Sequence, residues 1–331
     1  MTTIIKDRLK EFATESDWKS RVSSNKHKEI WSIGGGKGGV GKSLTTANLS
    51  ICLALMGHKV VSVDLDLGGA NLHTCLGANI PALTLSDFLT KKVSNFDDLV
   101  TPTPIENLSI ISGAHDDFGM ANLKQAHKAK ILHQLYEMDA DFVLLDLGAG
   151  TTYNTLDFFL AADKGIMTTL PEPTSIENTY RFIKSVFHRK LSLCDELLDV
   201  HHLIDHAMNS KITGDSNPSK MINDISKKYP ELGEIIQAEI NDFIPNLIIN
   251  QTRTQGDIDI GFSMKFICQK YFGFTLDYLG YLEHDPSVWQ SVKKRKPLLT
   301  EFPNSPLIHN FESIVHKLIP NQVDTTQERV G

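Results

Sequence analysis

Between the apolar run Ile30-Trp31-Ser32-Ile33 and a helix-forming stretch beginning at Lys42 lies Gly34-Gly35-Gly36-Lys37-Gly38-Gly39-Val40-Gly41-Lys42-Ser43. Six glycines in these ten residues favour a tight loop over a strand or helix interior, because each glycine costs conformational entropy in regular structure. From Gly36 to Ser43 the spacing is that of a phosphate loop: glycine, four residues, then Gly-Lys-Ser. Backbone N–H groups can wrap a polyphosphate only where no Cβ blocks the approach, and the following helix adds partial positive charge at its N-terminus. In that pattern Gly36, Lys37, Gly38, Gly39, Val40, Gly41, Lys42, Ser43 and Leu44 line the phosphates. Lys42 reaches the β- and γ-phosphates, and the Ser43 hydroxyl ligates Mg²⁺. A plain glycine-rich turn is the alternative, but the strand–loop–helix context with two lysines favours a nucleoside triphosphate with Mg²⁺ as the ligand.

The rest of the chain alternates short apolar runs with helical patterns. This predicts an α/β fold with a mainly parallel twisted sheet and helices on both faces. Candidate strands are Ile30–Ile33, Val60–Val63, Leu108–Ile111, Phe142–Leu145, Gly165–Leu170, Leu247–Ile249 and Leu276–Tyr281, most of them continuously apolar as in strands buried on both faces. Lys42–Met56, Asn122–Met138 and Thr174–Phe187 read as helices, the last two long enough for right-handed crossovers. The 331 residues divide into an N-terminal extension (1–27), one phosphate-loop domain (28–320) with a helical insertion at about 190–242, and a polar tail (321–331). In the extension Ile5, Leu9 and Phe12 fall at helical spacing.

Composition narrows the setting. The net charge of −7 (33 basic minus 40 acidic residues) gives no global attraction for nucleic acid. Cys52, Cys75, Cys194 and Cys268 lack metal or redox spacing and read as buried free thiols in a reducing compartment. No signal segment or long apolar run is visible, so a cytoplasmic location is expected.

Two further strand ends carry carboxylates. Val60–Val63 runs into Asp64-Leu65-Asp66, and in open α/β sheets such positions face the ligand. An aspartate there holds Mg²⁺, directly or through water, or orients an attacking water; alone, the pair would be an ordinary turn cap. Phe142-Val143-Leu144-Leu145-Asp146, followed by Leu147-Gly148-Ala149-Gly150, has the Walker-B arrangement, with glycines that let the loop follow the γ-phosphate.

Lys37 together with Lys42 in Lys-Gly-Gly-Val-Gly-Lys-Ser resembles the deviant Walker A of the MinD/ParA ATPases. Asp64-Leu65-Asp66-Leu67-Gly68-Gly69-Ala70-Asn71-Leu72, Asp146–Gly150, Pro171-Glu172-Pro173-Thr174-Ser175-Ile176 and the segment from Leu279 through Asp285-Pro286-Ser287-Val288 to Pro297 are similar to one branch, the flagellar-number regulators FlhG, also called FleN. The resemblance covers roughly residues 28–320 outside the insertion and implies a MinD-like P-loop NTPase fold of the SIMIBI class. By the same resemblance Lys37 crosses an ATP-bound homodimer to the partner's phosphates, and Lys37, Lys42 and Asp66 are the catalytic set, with Asp66 positioning the water. Asp146 is the switch II aspartate, so Ser43, Asp64, Asp66 and Asp146 form the metal set. Asn250 in Ile248-Ile249-Asn250-Gln251-Thr252-Arg253 binds the adenine, with Arg253 beside it, although Asn250 by itself also reads as a turn residue.

The implied function is an ATP-dependent, slowly hydrolysing dimeric switch that acts through protein partners, such as flagellar assembly or transcription factors. ParA-like DNA partitioning and MinD-type division-site regulation are the alternatives. The acidic net charge argues against nucleic acid, and the tail Asn321–Gly331 lacks the apolar face that membrane-binding members carry. Leu307, Phe311, Ile314 and Leu318 form a stripe expected to dock on the core. His201, His202 and His206 in the insertion, and Lys293-Lys294-Arg295-Lys296, read as solvated helix surface.

Overall fold

The computed structural model describes residues 28–66, 69–113, 123–198, 223, 226–227 and 229–319, with the side chains of 194–198 and 231–232 left aside. The Ile5-Leu9-Phe12 helix, the Leu67-Gly68 pair, the His201-His202-His206 group and the tail Asn321–Gly331 lie outside the described residues.

In chain order the elements are β1 (Glu29–Gly34), α1 (Lys42–Leu55), β2 (Val60–Leu65), α2 (Leu72–Cys75), α3 (Leu85–Leu89), a 3₁₀ turn (Phe96–Leu99), β3 (Thr101–Pro102), β4 (Leu108–Ile111), α4 (Gln125–Glu137), β5 (Phe142–Leu147), α5 (Tyr153–Ala161), β6 (Lys164–Thr169), α6 (Pro173–Leu198), α7 (Pro230–Asn241), β7 (Asn246–Thr252), α8 (Gln255–Phe272), β8 (Asp277–Glu283), α9 (Pro286–Lys294), α10 (Leu298–Glu301) and α11 (Leu307–Leu318). The eight strands form one sheet in the order β3-β4-β2-β5-β1-β6-β7-β8. All neighbouring pairs are parallel except β3 with β4. The two-residue β3 is the strand that the sequence pattern does not announce. It is too short for periodicity, and its Pro102 is tolerated because β3 stands at the sheet edge.

Strand side chains alternate between two cores. Ile30, Val61, Val63, Val143, Leu145, Leu247 and Ile249 face one layer, packed by α3 to α8. Trp31, Ile33, Val60, Phe142, Leu144, Ile166 and Ile248 face the other, packed by α1, α2, α10 and α11. Burial on both faces is why the strands read as unbroken apolar runs. Helix α1 crosses the second core nearly immersed, with Thr45 through Ala54 all buried. It stops where Gly57 takes a positive φ of 90°, its N–H donating to the Ala54 carbonyl at 2.9 Å, a C-terminal device suited to glycine.

Helix α6 runs on to Leu198, well past the Phe187 end that its first apolar stripe suggests. Neither glycine nor proline interrupts it after Pro173, and Leu191 continues the buried face of Phe182, Ile183, Val186 and Phe187. Its partner α7 buries Ile236 and Ile240 in the same core, and Lys190 meets Glu239 at 2.8 Å with both side chains buried. Cys52 and Cys268 are buried free thiols, but Cys75 is only half-buried, because it ends the single-turn helix α2. No helix among the described residues is long and apolar enough to cross a membrane.

The stripe on α11 docks as its spacing predicts: Leu307, Phe311, Ile314 and Leu318 are all buried. Phe311→Ala should therefore cost about 3–5 kcal/mol in urea unfolding. Leu55→Ala, at a side chain 66% exposed at the end of α1, should stay within about 0.5 kcal/mol.

Candidate functional site

The glycine-rich loop leaves the carboxyl end of β1, which lies between β5 and β6 near the middle of the sheet. Its first half is wedged between neighbours. A Cβ on Gly35 would sit 2.9 Å from the Thr168 carbonyl oxygen, and one on Gly36 would sit 2.1 Å from that of Asn178. Backbone from β6 and α6 thus occupies the space that side chains would need. The loop opens at Gly38 and Gly39, where a Cβ would meet nothing within 4 Å. Gly39 and Gly41 take positive φ values of 78° and 97°, and the buried Val40 between them anchors the loop. Gly41 is also the N-cap of α1 and carries no side chain that would compete for the helix N-terminus.

Lys42 is buried, and its stem lies 3.7 Å from the Cβ position of Gly35, so the side chain folds back along the loop. Ser43 and Leu44 are half-buried on the first turn of α1. Lys37 is different. Its side chain is 41% exposed, and its ammonium lies 3.9 Å from a carboxylate oxygen of Glu172, itself 57% exposed. An exposed pair at that separation holds its partners only loosely.

The carboxylates come from adjacent strands. Asp64 of β2 pairs in register with Asp146 of β5, and both are about 1% exposed. Asp64 accepts from the Asp66 N–H and the Leu72 N–H, each at 3.0 Å, so its two oxygens shape the exit from β2. Asp146 accepts weakly from the Thr46 hydroxyl at 3.4 Å, and its other oxygen is buried without a hydrogen-bond partner. Burial first, then the Asp64 charge, raises the Asp146 pKa; the Ser43 hydroxyl and Lys42 pull the other way. Burial likewise raises Asp64, against its backbone hydrogen bonds. Asp66 is half-buried beside Gly148, whose Cβ position is 3.4 Å from an Asp66 carboxylate oxygen.

The three aspartates named from the sequence share one end of the sheet without forming a ready metal cage. Among the described residues no three His, Cys, Asp or Glu side chains are grouped to hold an ion. The residues nevertheless fit Mg²⁺. An orphaned buried carboxylate oxygen on Asp146 next to the Ser43 hydroxyl is a hard-oxygen donor set for an ion that keeps several waters and phosphate oxygens as ligands.

Asn250 is 4% exposed and sits inside β7, so it is a strand residue rather than a turn residue. Its amide donates to the Val40 carbonyl at 2.8 Å, and its carbonyl oxygen accepts from the Gln251 N–H at 2.9 Å. Gln251 takes a positive φ of 60° where the β7–β8 register slips. Asn250 and Thr252 are buried on either side of the exposed Gln251, the ordinary alternation of a strand. Arg253 is exposed at the start of the next loop, its N–H donating to Asp257 at 2.7 Å.

Some participants carry no sequence signal of their own. Thr169, Ser175 and Thr179 form a buried hydroxyl chain, with spacings of 2.9 and 2.8 Å, tying the end of β6 to the start of α6. Glu172, the partner of Lys37, lies between Thr169 and Ser175 in the chain. Only the Pro-Glu-Pro-Thr-Ser-Ile resemblance marks this stretch. The Gly150 N–H donates to the Gly35 carbonyl at 3.2 Å, joining the loop after Asp146 to the glycine-rich loop.

Raising the Asp146 pKa means that the charged carboxylate costs folding energy in the protein without nucleotide or magnesium. That cost is absent below the unfolded-chain pKa of about 3.9 and grows as pH rises toward the folded value. Asp146→Asn should therefore raise the thermal midpoint at about pH 8 and leave it near wild type at about pH 4. Differential scanning calorimetry in chelator checks this.

Comparison with known proteins matches the geometry. The AAA domain family profile covers residues 28–197. The septum site-determining protein MinD of Helicobacter pylori is 32% identical over 185 residues, 55% of this chain and 68% of that protein. The antiactivator FleN of Pseudomonas aeruginosa is 24% identical over 292 residues, 88% of this chain and 86% of that protein. Among solved structures, MinD from Pyrococcus horikoshii complexed with Mg-ADP shares the fold, with a TM-score of 0.57 at 23% identity over 88% of this chain and 96% of that one. With its glycine-rich loop carrying both Lys37 and Lys42 at the carboxyl edge of a parallel sheet, the chain belongs to the MinD/ParA family of P-loop ATPases.

Proposed function

We propose that this protein is an ATP-gated dimeric switch that regulates flagellar number or placement through protein partners. The observation that carries the reading is the state of Lys37: exposed, loosely paired with Glu172, and set beside the opening at Gly38 and Gly39. Lys42 is packed against its own loop, whereas Lys37 is available to a second subunit. ATP then joins two copies, each Lys37 reaching the phosphates held by the other.

Within one subunit, Lys42 and the loop N–H groups from Gly36 to Leu44 bind the phosphates, and Ser43 and Asp146 hold Mg²⁺, with Asp64 shaping the switch beside them. Held by Ser43 and Asp146, Mg²⁺ would supply charge neutralisation to the phosphates. Asp66 orients the attacking water, and its half-buried place beside Gly148 lets it move with the loop after Asp146. Asn250 faces the adenine end, with Arg253 at its rim. Slow hydrolysis suited to timing fits a site whose catalytic cation is Lys37 rather than an arginine finger. The flagellar reading is supported by the match to FleN, which spans most of both chains. Division-site regulation is a second reading, favoured by the higher identity to MinD over a shorter span.

Lys42→Ala should abolish ATP binding, whereas Asp66→Ala should bind ATP and accumulate as a dimer. Light scattering after size exclusion, run beside a phosphate-release assay, reads both outcomes. Normal turnover by Asp66→Ala, or a monomer at saturating ATP, would overturn the switch. Counting flagella in a strain lacking the protein separates the flagellar role from a division role, which would instead alter septum position.

A further inference from the structure

The hydrogen bond from Asn250 to the phosphate loop joins two parts of the site that nucleotide chemistry treats separately, the base end and the phosphate end. Asn250 lies 210 residues beyond Val40, yet its amide donates to the Val40 carbonyl at 2.8 Å. That carbonyl belongs to the same peptide unit as the Gly41 N–H. No peptide bond in the described residues is cis, so the two groups point in opposite directions. Fixing the carbonyl toward β7 turns the Gly41 N–H away from it, toward the phosphate side of the loop.

This peptide needs fixing. Gly41 has φ 97° and ψ 22°, a region that glycine reaches freely, and Gly39 on the other side is also left-handed at φ 78°. Gly41 tolerates either sign of φ, so the backbone on that side does not by itself fix the Val40–Gly41 peptide. A flipped peptide would aim a carbonyl oxygen at the phosphates. The restraint is built from the other side. Asn250 is 4% exposed, its own oxygen is held by the Gln251 N–H at 2.9 Å, and the left-handed bulge at Gln251 sets its direction. The fit is close, since a Cβ on Gly41 would lie 2.2 Å from the Asn250 amide nitrogen.

We propose that Asn250 is a positioning residue for the phosphates: it latches the Val40–Gly41 peptide so that the loop presents an N–H to any bound polyphosphate, whatever base is attached. This rests on reading the loop as a phosphate site and adds to the adenine-facing role given to Asn250 above.

The test uses a ligand without a base. Affinities of the full chain for magnesium tripolyphosphate and for magnesium ATP are measured by calorimetry for wild type, Asn250→Ala and Asn250→Leu. The leucine variant keeps the branched side-chain skeleton and removes the donor. Circular dichroism and the thermal midpoint check that each variant folds. Loss of the latch should weaken tripolyphosphate about tenfold in both variants, the scale of one hydrogen bond whose buried acceptor is left unpaired. A loss of ATP affinity with tripolyphosphate unchanged would leave Asn250 a base reader only and overturn the latch, as would no loss for either ligand. Wild type that binds neither ligand would instead overturn the phosphate-site reading itself, and the latch with it.

Discussion

The close passage of the glycine-rich loop between β6 and α6 is the constraint on which the rest of the site depends. Gly35 and Gly36 lie where any Cβ would strike the carbonyl oxygens of Thr168 and Asn178. That contact draws the start of α6 against the loop and brings Glu172 within reach of Lys37. The hydroxyl chain of Thr169, Ser175 and Thr179 keeps this corner rigid without placing charge in it. In the second half Gly38 and Gly39 are free of such contacts, whereas Gly41 packs closely against Asn250, which holds the Val40 carbonyl from the far side.

Around this scaffold the electrostatics are held out of balance. Two carboxylates in register on neighbouring strands are both buried, and one keeps an oxygen without a partner. An apolar pair at these positions would suit the fold better. A site poised in this way gains from a dication. Lys42 is buried against the loop, whereas Lys37 is exposed at its edge.

Much of the architecture could be read from the residues themselves. Strand runs such as Phe142–Leu145 and the stripe on α11 announce their burial through apolar content at the right period. Lys37, Lys42, Ser43, Asp64, Asp66 and Asp146 could be named because glycine spacing and strand-end acids are local patterns. Three features escaped. The edge strand β3 is two residues long and has no period. The length of α6 depends on a core partner, α7, that sequence spacing does not reveal. Glu172 and the hydroxyl chain use residue types that are common at any helix start.

By itself the sequence determined the strand–loop–helix phosphate motif, the two-sided burial of the sheet and the acids at its carboxyl edge, because each is a short-range pattern of residue types. Only the tertiary structure decided what those residues do to one another. It set Asp64 to bracing the turn after β2 and left Asp146 with a free buried oxygen. It also brought Asn250 across 210 residues to the Val40 carbonyl. Hydrogen-bond partners and burial are properties of strand order and register. Parallel crossovers join positions that are distant in the chain, so no local pattern carries them.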